Sequence, residues 1–214
     1  MNERKSIVLI GGGGHCKSVI DVIEAKGGYA IVGILDGASK KGDEILGYPV
    51  IGTDDDIPAL AKAKNEFFIT VGQIESSHVR KRLYESVKAF GGNLPVFVSP
   101  LARISPHAKL GEGTIVHHFA AVNADAEIGV NCIINTGAII EHDCVIGDHC
   151  HISTRAVVNG HVHIHSDTFV GSASMLIQGL SVGRGVIIGA GSVVLHPVRD
   201  GKTVVGNPAQ EKSE

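Results

Sequence analysis

The sequence has few aromatic residues and no tryptophan. Phe, Trp and Tyr make up 4% of its 214 residues, and there are 2 Met. Glycine, in contrast, contributes 28 residues, which is well above its usual share of about 7%. Hydrophobic residues still reach 43%, so the core must be built mainly from Ile, Val, Leu and Ala. Many small side chains and few rings predict a narrow, regularly stacked core.

The sequence also lacks an excess of charge and a long hydrophobic run. Lys and Arg number 19 and Asp and Glu 22, a net charge of −3. A chain so near neutrality is not expected to bind nucleic acid. No apolar run reaches the roughly 18 residues of a membrane-spanning helix, and no signal peptide is evident, so we expect a cytoplasmic protein without membrane insertion. The 4 Cys form no C-x-x-C pair and are expected to be reduced.

A six-residue period dominates the second half of the chain. Every sixth residue from Ile104 to Val194 is aliphatic, and the residue two positions earlier is small or β-branched in every repeat except at Leu180. The aliphatic positions are Ile104, Leu110, Val116, Val122, Ile128, Ile134, Ile140, Ile146, Ile152, Val158, Ile164, Val170, Leu176, Val182, Ile188 and Val194. Cys132, Cys144 and Cys150 occupy the small position, which predicts three buried thiols.

This period excludes a helix and indicates short strands. A helix repeats every 3.6 residues, whereas alternate residues of a strand point to the same side. We therefore expect two inward residues per strand, then a corner, then a strand on the next face. Three repeats complete one triangular coil, so residues 100–196 are predicted to form a parallel β-helix of about five coils.

The first part of the chain lacks this period and alternates strands with helices. The predicted strands are Ser6–Ile10, Tyr29–Leu35 and Phe67–Val71, and the predicted helices are 15–25 and 76–90. Thr53, followed by three Asp, predicts another helix start with a side-chain cap and an acidic first turn. We expect an α/β Rossmann-like domain over residues 1–95 and the β-helix domain over residues 96–214.

A glycine loop follows the first predicted strand and consists of Gly11, Gly12, Gly13 and Gly14, followed by His15. Backbone N–H groups in such a loop, at the start of a helix, suit an anion or a nucleotide. Asp36 ends the second strand and is a candidate for contact with a ribose or base. Cys16 holds the third glycine position of the dinucleotide fingerprint, which disfavours NAD. The loop is therefore either a nucleotide site or a tight turn without a ligand.

Together, the two halves resemble the bacterial sugar O/N-acyltransferase family over the whole length. The resemblance rests on the Gly-Gly-Gly-Gly-His loop, on the segment Asn135-Thr-Gly-Ala-Ile-Ile-Glu-His-Asp-Cys-Val-Ile-Gly-Asp-His-Cys-His151, and on the ending Val205-Gly-Asn-Pro-Ala209. The family includes PglD-like sugar-nucleotide 4-amino N-acetyltransferases and sialic-acid O-acetyltransferases. The resemblance implies a left-handed β-helix and a homotrimer, with acetyl-CoA between adjacent β-helices and a nucleotide sugar near the glycine loop.

The family motif implies that His142 is the catalytic residue. The repeat places His142 two residues past the inward Ile140, at a corner, where an imidazole with a pKa near 6.5 suits proton transfer. Asp143 takes the position of the family's acid and is expected to orient His142. The resemblance further implies that Asn135 contacts the sugar.

The resemblance also implies cofactor contacts for three residues. His151 would lie near the acetyl group, Gly160 would direct its N–H at the thioester carbonyl, and Gly206 belongs to the typical C-terminal ending. A fixed N–H donor would stabilise the developing oxyanion.

Other reactive residues carry weaker signals. His161, His163 and His165 alternate and should face outward, but no carboxylate or Cys completes a site at a clear spacing, so the sequence predicts no metal. Cys16 begins a helix, which would favour a thiolate, but its place in the glycine loop disfavours covalent catalysis.

Three functions are compatible with the sequence. The leading one is acetyl-CoA-dependent N-acetylation of a nucleotide-linked 4-amino-4,6-dideoxy sugar by direct attack. The second is O-acetylation of sialic acid or a related sugar, since the same base serves an amine or a hydroxyl. The third, a non-catalytic sugar-nucleotide-binding module, is disfavoured by the intact His142–Asp143 pair. The sequence fixes neither the nucleotide nor the sugar.

Overall fold

The computed structural model describes residues 4–212, and its internal contacts divide the chain into two compact units. The first unit contains the chain up to Gly72 together with His78–Phe97. The second contains Gln73–Ser77 and the chain from Val98 onward. A short segment inside the first half of the sequence therefore belongs to the second unit.

The first unit is an α/β domain. Its strands are β1 (Lys5–Ile10), β2 (Tyr29–Leu35), β3 (Glu44–Ile45), β4 (Tyr48–Gly52) and β5 (Glu66–Ile69). Its helices are α1 (Gly14–Lys26), α2 (Ile57–Lys62) and α3 (His78–Ala89). The strand order is β3-β4-β2-β1-β5, with all pairs parallel except β3 with β4. The order reverses at β1, which is the topological switch point of an open parallel sheet.

The core of this unit follows from continuous apolar strands. Ile7–Ile10 of β1 are all buried, as expected for a parallel strand covered on both faces. Helix α1 buries one face, which includes Val19 and Ile23. Phe68 and Phe97 pack edge to face with ring centroids 5.0 Å apart. The predicted Rossmann-like arrangement of strands and helices is thus confirmed.

Two local details differ in their predictability. The cap expected at Thr53 is confirmed, since its hydroxyl accepts the Asp55 N–H and the Asp56 carboxylate accepts the Thr53 N–H. The β3–β4 hairpin was not predicted. Its two turn residues, Leu46 and Gly47, both have positive φ, and Leu is an unusual residue in that conformation.

The second unit consists of many short parallel strands. They are β6 (Phe97–Val98), β7 (Arg103–Ile104), β8 (Lys109–Leu110), β9 (Ile115–Val116), β10 (Ala121–Val122), β11 (Glu127–Ile128), β12 (Ile133–Ile134), β13 (Ile139–Ile140), β14 (Val145–Ile146), β15 (His151–Ile152), β16 (Val157–Val158), β17 (His163–Ile164), β18 (Phe169–Val170), β19 (Met175–Leu176), β20 (Ser181–Val182), β21 (Ile187–Ile188), β22 (Val193–Val194), β23 (Thr203–Gly206) and β24 (Ala209–Glu211). Strand β24 pairs antiparallel with β23.

These strands form the three faces of a left-handed parallel β-helix, as the family resemblance implied. One face holds β7, β10, β13, β16, β19 and β22, the next holds β8, β11, β14, β17 and β20, and the third contains β9, β12, β15, β18 and β21. Each residue pairs with the residue 18 positions later, as Ile134 does with Ile152. Three six-residue repeats therefore complete one coil, as predicted.

The corners between strands share one backbone conformation. Residues from 113 to 191 adopt positive φ at every sixth position, and Asp143 (φ 59°) and His161 (φ 58°) are two of them. Asn131, Gly137 and His149 hold the same corner position in other repeats and also have positive φ. Some corner side chains are exposed, such as His161, whereas Asn131 and His149 are buried and lie 3.0 Å apart.

The interior of the β-helix is a single aliphatic stack. The aliphatic and small positions of the repeat form one buried cluster, and Cys132, Cys144 and Cys150 are each 0% exposed within it. Burial raises the pKa of the Cys144 and Cys150 thiols, which keeps them protonated and unreactive. Within residues 4–212, none of the helices is both long enough and apolar enough to cross a bilayer.

Candidate active site

A pocket of about 530 Å³ opens at one corner of the β-helix. Its lining comes from the same corner position of three successive coils. Those residues are Glu141, His142, Asn159, Gly160, His161, Gln178 and Gly179. Two of the predicted site residues, His142 and Gly160, lie 18 positions apart and so are direct neighbours along the stack.

His142 is oriented by Asp143 within this pocket. The Nδ1 atom of His142 lies 2.7 Å from Oδ2 of Asp143. A carboxylate accepts a hydrogen bond, so Nδ1 carries the proton and Nε2 presents its lone pair. The hydrogen bond from His142, with a smaller electrostatic contribution from His161, lowers the pKa of Asp143. The two adjacent residues, whose contact was a hypothesis at the level of sequence, therefore do touch.

Gly160 provides the surface on which the His142 ring rests. A Cβ atom at Gly160 would lie 2.7 Å from Cε1 and 2.8 Å from Nε2 of His142. Such distances are far below ordinary contact, so no other residue fits beneath the ring without displacing it. Within the described residues 4–212, the Gly160 N–H has no hydrogen-bond acceptor, which leaves it available to a ligand in the pocket.

His161 is the neighbour that sequence reasoning missed. Its Nε2 atom lies 3.6 Å from Oδ2 of Asp143, and its ring meets the His142 ring edge to face with centroids 5.3 Å apart. The signal was present as the spacing of 18 residues between corner positions 143 and 161. The alternation of His161, His163 and His165 relates His161 to its own strand, whereas Asp143 lies on the preceding coil.

Asn135 and His151 lie elsewhere on the β-helix. The Nδ2 group of Asn135 donates to Nε2 of His151 over 3.1 Å, while Nδ1 of His151 donates to the Gln73 carbonyl over 2.6 Å. His151 faces outward, as predicted, but it is only 7% exposed. Neither residue lines the pocket of His142 in the same chain.

Gly206 lies in the C-terminal hairpin, also outside that pocket. Its φ of 102° requires glycine, and its N–H donates to the hydroxyl of Ser192 over 3.2 Å. The structure therefore brings together His142, Asp143 and Gly160 but not Asn135, His151 or Gly206.

The glycine loop of the first unit is tied to Asp36. The Gly12 N–H donates to Oδ2 of Asp36 over 2.8 Å, and Lys40 and the Gly37 N–H donate to the same carboxylate. Burial opposes ionisation of Asp36, but these three hydrogen bonds outweigh it and lower its pKa. Asp36 therefore holds the glycine loop in position through the Gly12 N–H.

The remaining loop residues differ in their packing. Gly11 has φ 105°, and a Cβ there would lie 2.4 Å from the Val71 side chain, so only glycine fits. Gly13 and Gly14 have open space around them at the start of α1. His15 is half-buried in the first turn of that helix.

A cleft of about 390 Å³ lies beside this loop, at the carboxyl ends of the parallel strands. Ile10 and Leu35 end the adjacent strands β1 and β2 along it, Val71 follows β5 by two residues, and Asp36 and Arg82 also line it. Buried Arg80 supports the same edge by donating to the carbonyls of Ile69 and Val71. Ligands of open α/β sheets bind at this location.

Comparison with known proteins connects both units with sugar acyltransferases. The PglD N-terminal domain family matches residues 6–87. The acetyltransferase domain of PglB from Neisseria gonorrhoeae, also solved with acetyl coenzyme A, is 33% identical, with a TM-score of 0.91 over 98% of this chain and 100% of that one. PerB from Caulobacter crescentus, solved with CoA and GDP-perosamine, is 35% identical, with a TM-score of 0.90 over 97% of both chains.

More distant similarities agree with these matches. WeeI from Acinetobacter baumannii is 27% identical, with a TM-score of 0.88 over 97% of this chain and 100% of that one. An uncharacterized protein of Acanthamoeba polyphaga mimivirus is 36% identical over 113 residues, which span 51% of this chain and 21% of that much longer protein. With matches above 30% identity over nearly the whole length of solved relatives, the chain belongs to the family of PglD-like bacterial sugar acyltransferases.

Proposed function

We propose that the protein uses acetyl-CoA to N-acetylate the 4-amino group of a nucleotide-linked 4-amino-4,6-dideoxy sugar. The observation that carries the proposal is the hydrogen-bonded pair of His142 and Asp143, seated on Gly160 in an open pocket. The similarity to PerB, described as a perosamine N-acetyltransferase and solved with CoA and GDP-perosamine, supports the same chemistry.

The proposed reaction is a direct attack of the sugar amine on the acetyl thioester. The amine nitrogen bonds to the thioester carbonyl carbon, and Nε2 of His142 accepts the proton that the nitrogen loses. Asp143 stabilises the resulting imidazolium through Nδ1. The C–S bond then breaks, and the CoA sulfur leaves as a thiol once it has received the proton from His142. The products are the amide and CoA, and His142 is again neutral.

The Gly160 N–H is the proposed oxyanion donor in this reaction. The carbonyl oxygen gains negative charge as the tetrahedral intermediate forms, and a preorganised N–H stabilises that charge. Gly160 suits this role because its N–H is unengaged and its missing side chain leaves room for the His142 ring beside it.

The proposal assigns nucleotide-sugar binding to the first domain, taken as residues 1–95, and acetyl transfer to residues 96–214. The glycine loop places Gly13 and Gly14 at the start of α1, where backbone N–H groups suit the diphosphate of a nucleoside diphosphate sugar. The cleft at the strand ends lies beside this loop. Asp36 and His15 are the proposed neighbours of the nucleotide sugar.

A homotrimer is part of the proposal. On the face that contains β13, the outward column is apolar over five coils and consists of Ala121, Ile139, Val157, Met175 and Val193. A second β-helix packed there would bury that column. Since Asn135, His151 and Gly206 lie outside the pocket of His142, their proposed contacts with the sugar and acetyl-CoA require an adjacent subunit. Sedimentation should give three times the 22.3 kDa chain mass.

A cytoplasmic location is also proposed. Acetyl-CoA and nucleotide sugars are cytoplasmic substrates in bacteria, and the four thiols of the chain are free and buried.

A substrate panel tests the proposal. CoA release from acetyl-CoA is measured with UDP-, dTDP- and GDP-linked 4-amino sugars, with the matched 4-hydroxy sugars, and with CMP-sialic acid and free sialic acid. Release with one 4-amino sugar but not with its 4-hydroxy counterpart is the expected result. Release only with sialic acid would favour O-acetylation. Bound acetyl-CoA without release on any acceptor would favour a binding module.

A further inference from the structure

We propose that the pocket corner is also a binding site for Zn²⁺, formed by His142, Asp143 and His161. The two imidazoles and the carboxylate each offer one ligand atom, and these three atoms lie within 4.8 Å of one another. They come from one corner of two successive coils. This site would make the enzyme sensitive to inhibition by zinc.

The donor set matches the chemistry of zinc. Imidazole nitrogens and carboxylate oxygens are ordinary zinc ligands at about 2.0–2.2 Å, and three protein ligands leave a fourth position open. All three side chains are accessible to solvent, with exposures of 56% for His142, 42% for Asp143 and 66% for His161. An ion can therefore reach them from solvent without unfolding the corner.

The distances between the ligand atoms are close to those around a bound zinc ion. Ligand atoms around a tetrahedral zinc ion are about 3.3 Å apart, given bonds of about 2.0 Å. In the structure, Oδ2 of Asp143 is 2.7 Å from Nδ1 of His142 and 3.6 Å from Nε2 of His161. The two imidazole nitrogens lie within 4.8 Å of each other, so side-chain rotations that bring them closer by up to about 1.5 Å would accommodate the ion.

The backbone holds these ligands in register. The His161 N–H donates to the His142 carbonyl over 3.0 Å, and Asp143 and His161 share the same left-handed corner conformation. Their spacing is thus fixed by the repeat rather than by a mobile loop. The backbone at this corner therefore needs no reordering when the ion binds.

Zinc would disable the base through its tautomer. In the free protein, Nδ1 of His142 carries the proton and donates to Asp143, which leaves Nε2 ready to accept a proton. Zinc on Nδ1 takes the place of that proton, and the single N–H proton of the neutral ring moves through solvent to Nε2. The ring then has no lone pair for the amine. This inhibition rests on the proposed function, whereas zinc binding itself does not.

Direct binding is the first test. Zinc is titrated into the metal-free full-length protein by calorimetry, without sugar or acetyl-CoA. We expect one zinc per chain at this site, with affinity reduced at least about tenfold by His161→Asn, by Asp143→Asn and by His142→Asn. Asn is chosen at position 161 because it tolerates positive φ. The matched control is His163→Asn, an exposed histidine of β17 outside the cluster, which should bind zinc like the wild type.

Inhibition is the second test, with product measured by chromatography because zinc also binds the released thiol of CoA. Zinc should lower turnover of the wild type and of His163→Asn, and a chelator should restore it. His161→Asn, compared with its own metal-free rate, should need at least about tenfold more zinc. Wild-type zinc affinity in all three cluster variants would overturn the site. If these variants lose zinc binding but zinc does not inhibit an active wild type, the inhibitory role is wrong. If the wild type is inactive on every acceptor, the proposed function is wrong, whereas the binding test of the zinc site is unaffected.

Discussion

The two units of the molecule contain different kinds of site. In the β-helix, paired residues of successive coils are separated by a fixed 18 positions, so the corner with His142 and Gly160 is built by repetition. In the α/β unit, the glycine loop is held by a contact between Gly12 and Asp36 that no period relates. In the β-helix, the spacing of two residues in the sequence predicts whether they are neighbours in space. In the α/β unit, that prediction also requires the topology of the sheet. The following variants test whether this contrast is functional.

Removing the proposed base should have the largest effect. His142→Asn keeps a similar size but lacks a group that takes up a proton, so kcat should fall by about 10²–10⁴-fold. Steady-state turnover of the 4-amino substrate and calorimetric binding of acetyl-CoA are measured together. Binding should be unchanged. Retained turnover would show that His142 is not the catalytic base and that this corner of the β-helix is not the active site.

Filling the space beneath the ring should have the next largest effect. In Gly160→Ala, the added methyl group meets the His142 ring at 2.7 Å and displaces it, so kcat should fall about 10²-fold. The control is the same change in a His142→Ala background, where no ring is present. The further loss caused by Gly160→Ala should largely disappear there. Equal losses in both backgrounds would mean that Gly160 does not act through the ring.

The glycine loop should respond in stability. Gly11→Ala places a methyl group against Val71 at a φ of 105°, and should destabilise the first unit by about 1–3 kcal/mol. Tyrosine fluorescence during urea unfolding measures this unit selectively, because the 3 tyrosines, Tyr29, Tyr48 and Tyr84, all lie in it. Gly14→Ala, with open space in the first turn of α1, is the matched control and should be neutral or stabilising. Equal effects would show that the loop is not tightly packed.

The smallest expected effect is the pH dependence that Asp36 contributes. Its pKa is lowered in the folded protein, so its stabilisation is complete above the unfolded value of about 3.9 and is lost as the pH falls through the lower folded value. Asp36→Asn should cost about 1 kcal/mol at pH 7. The difference between variant and wild type, from the same unfolding experiment, should shrink below about pH 4. A difference that stays constant down to pH 2 would contradict the role of the charge.

The sequence predicts the two units unequally. The repeat identifies the buried series around Ile140 and the corner position of His142, because a fixed period determines both burial and neighbours. The β3–β4 hairpin escapes prediction because Leu46 occupies a turn position that favours Asn or Asp. The assignment of Gln73–Ser77 to the second unit is equally hidden, since it depends on tertiary hydrogen bonds such as that between Gln73 and His149.

The site shows the same limit on a smaller scale. The contact of His142 with Asp143 was only a hypothesis from adjacency, because adjacent residues need not touch. The packing of the His142 ring on Gly160 depends on which residues of the next coil lie beside it. The distance between His161 and Asp143 depends on side-chain rotamers as well as on the six-residue period.

The position of the transferred acetyl group tests the central claim most directly. The product formed from isotope-labelled acetyl-CoA and the 4-amino sugar nucleotide selected by the panel is analysed by NMR. We predict one labelled amide at the 4-position, formed by the wild type and not by His142→Asn. A labelled ester on a sugar hydroxyl, or an amide formed equally by both proteins, would contradict the account.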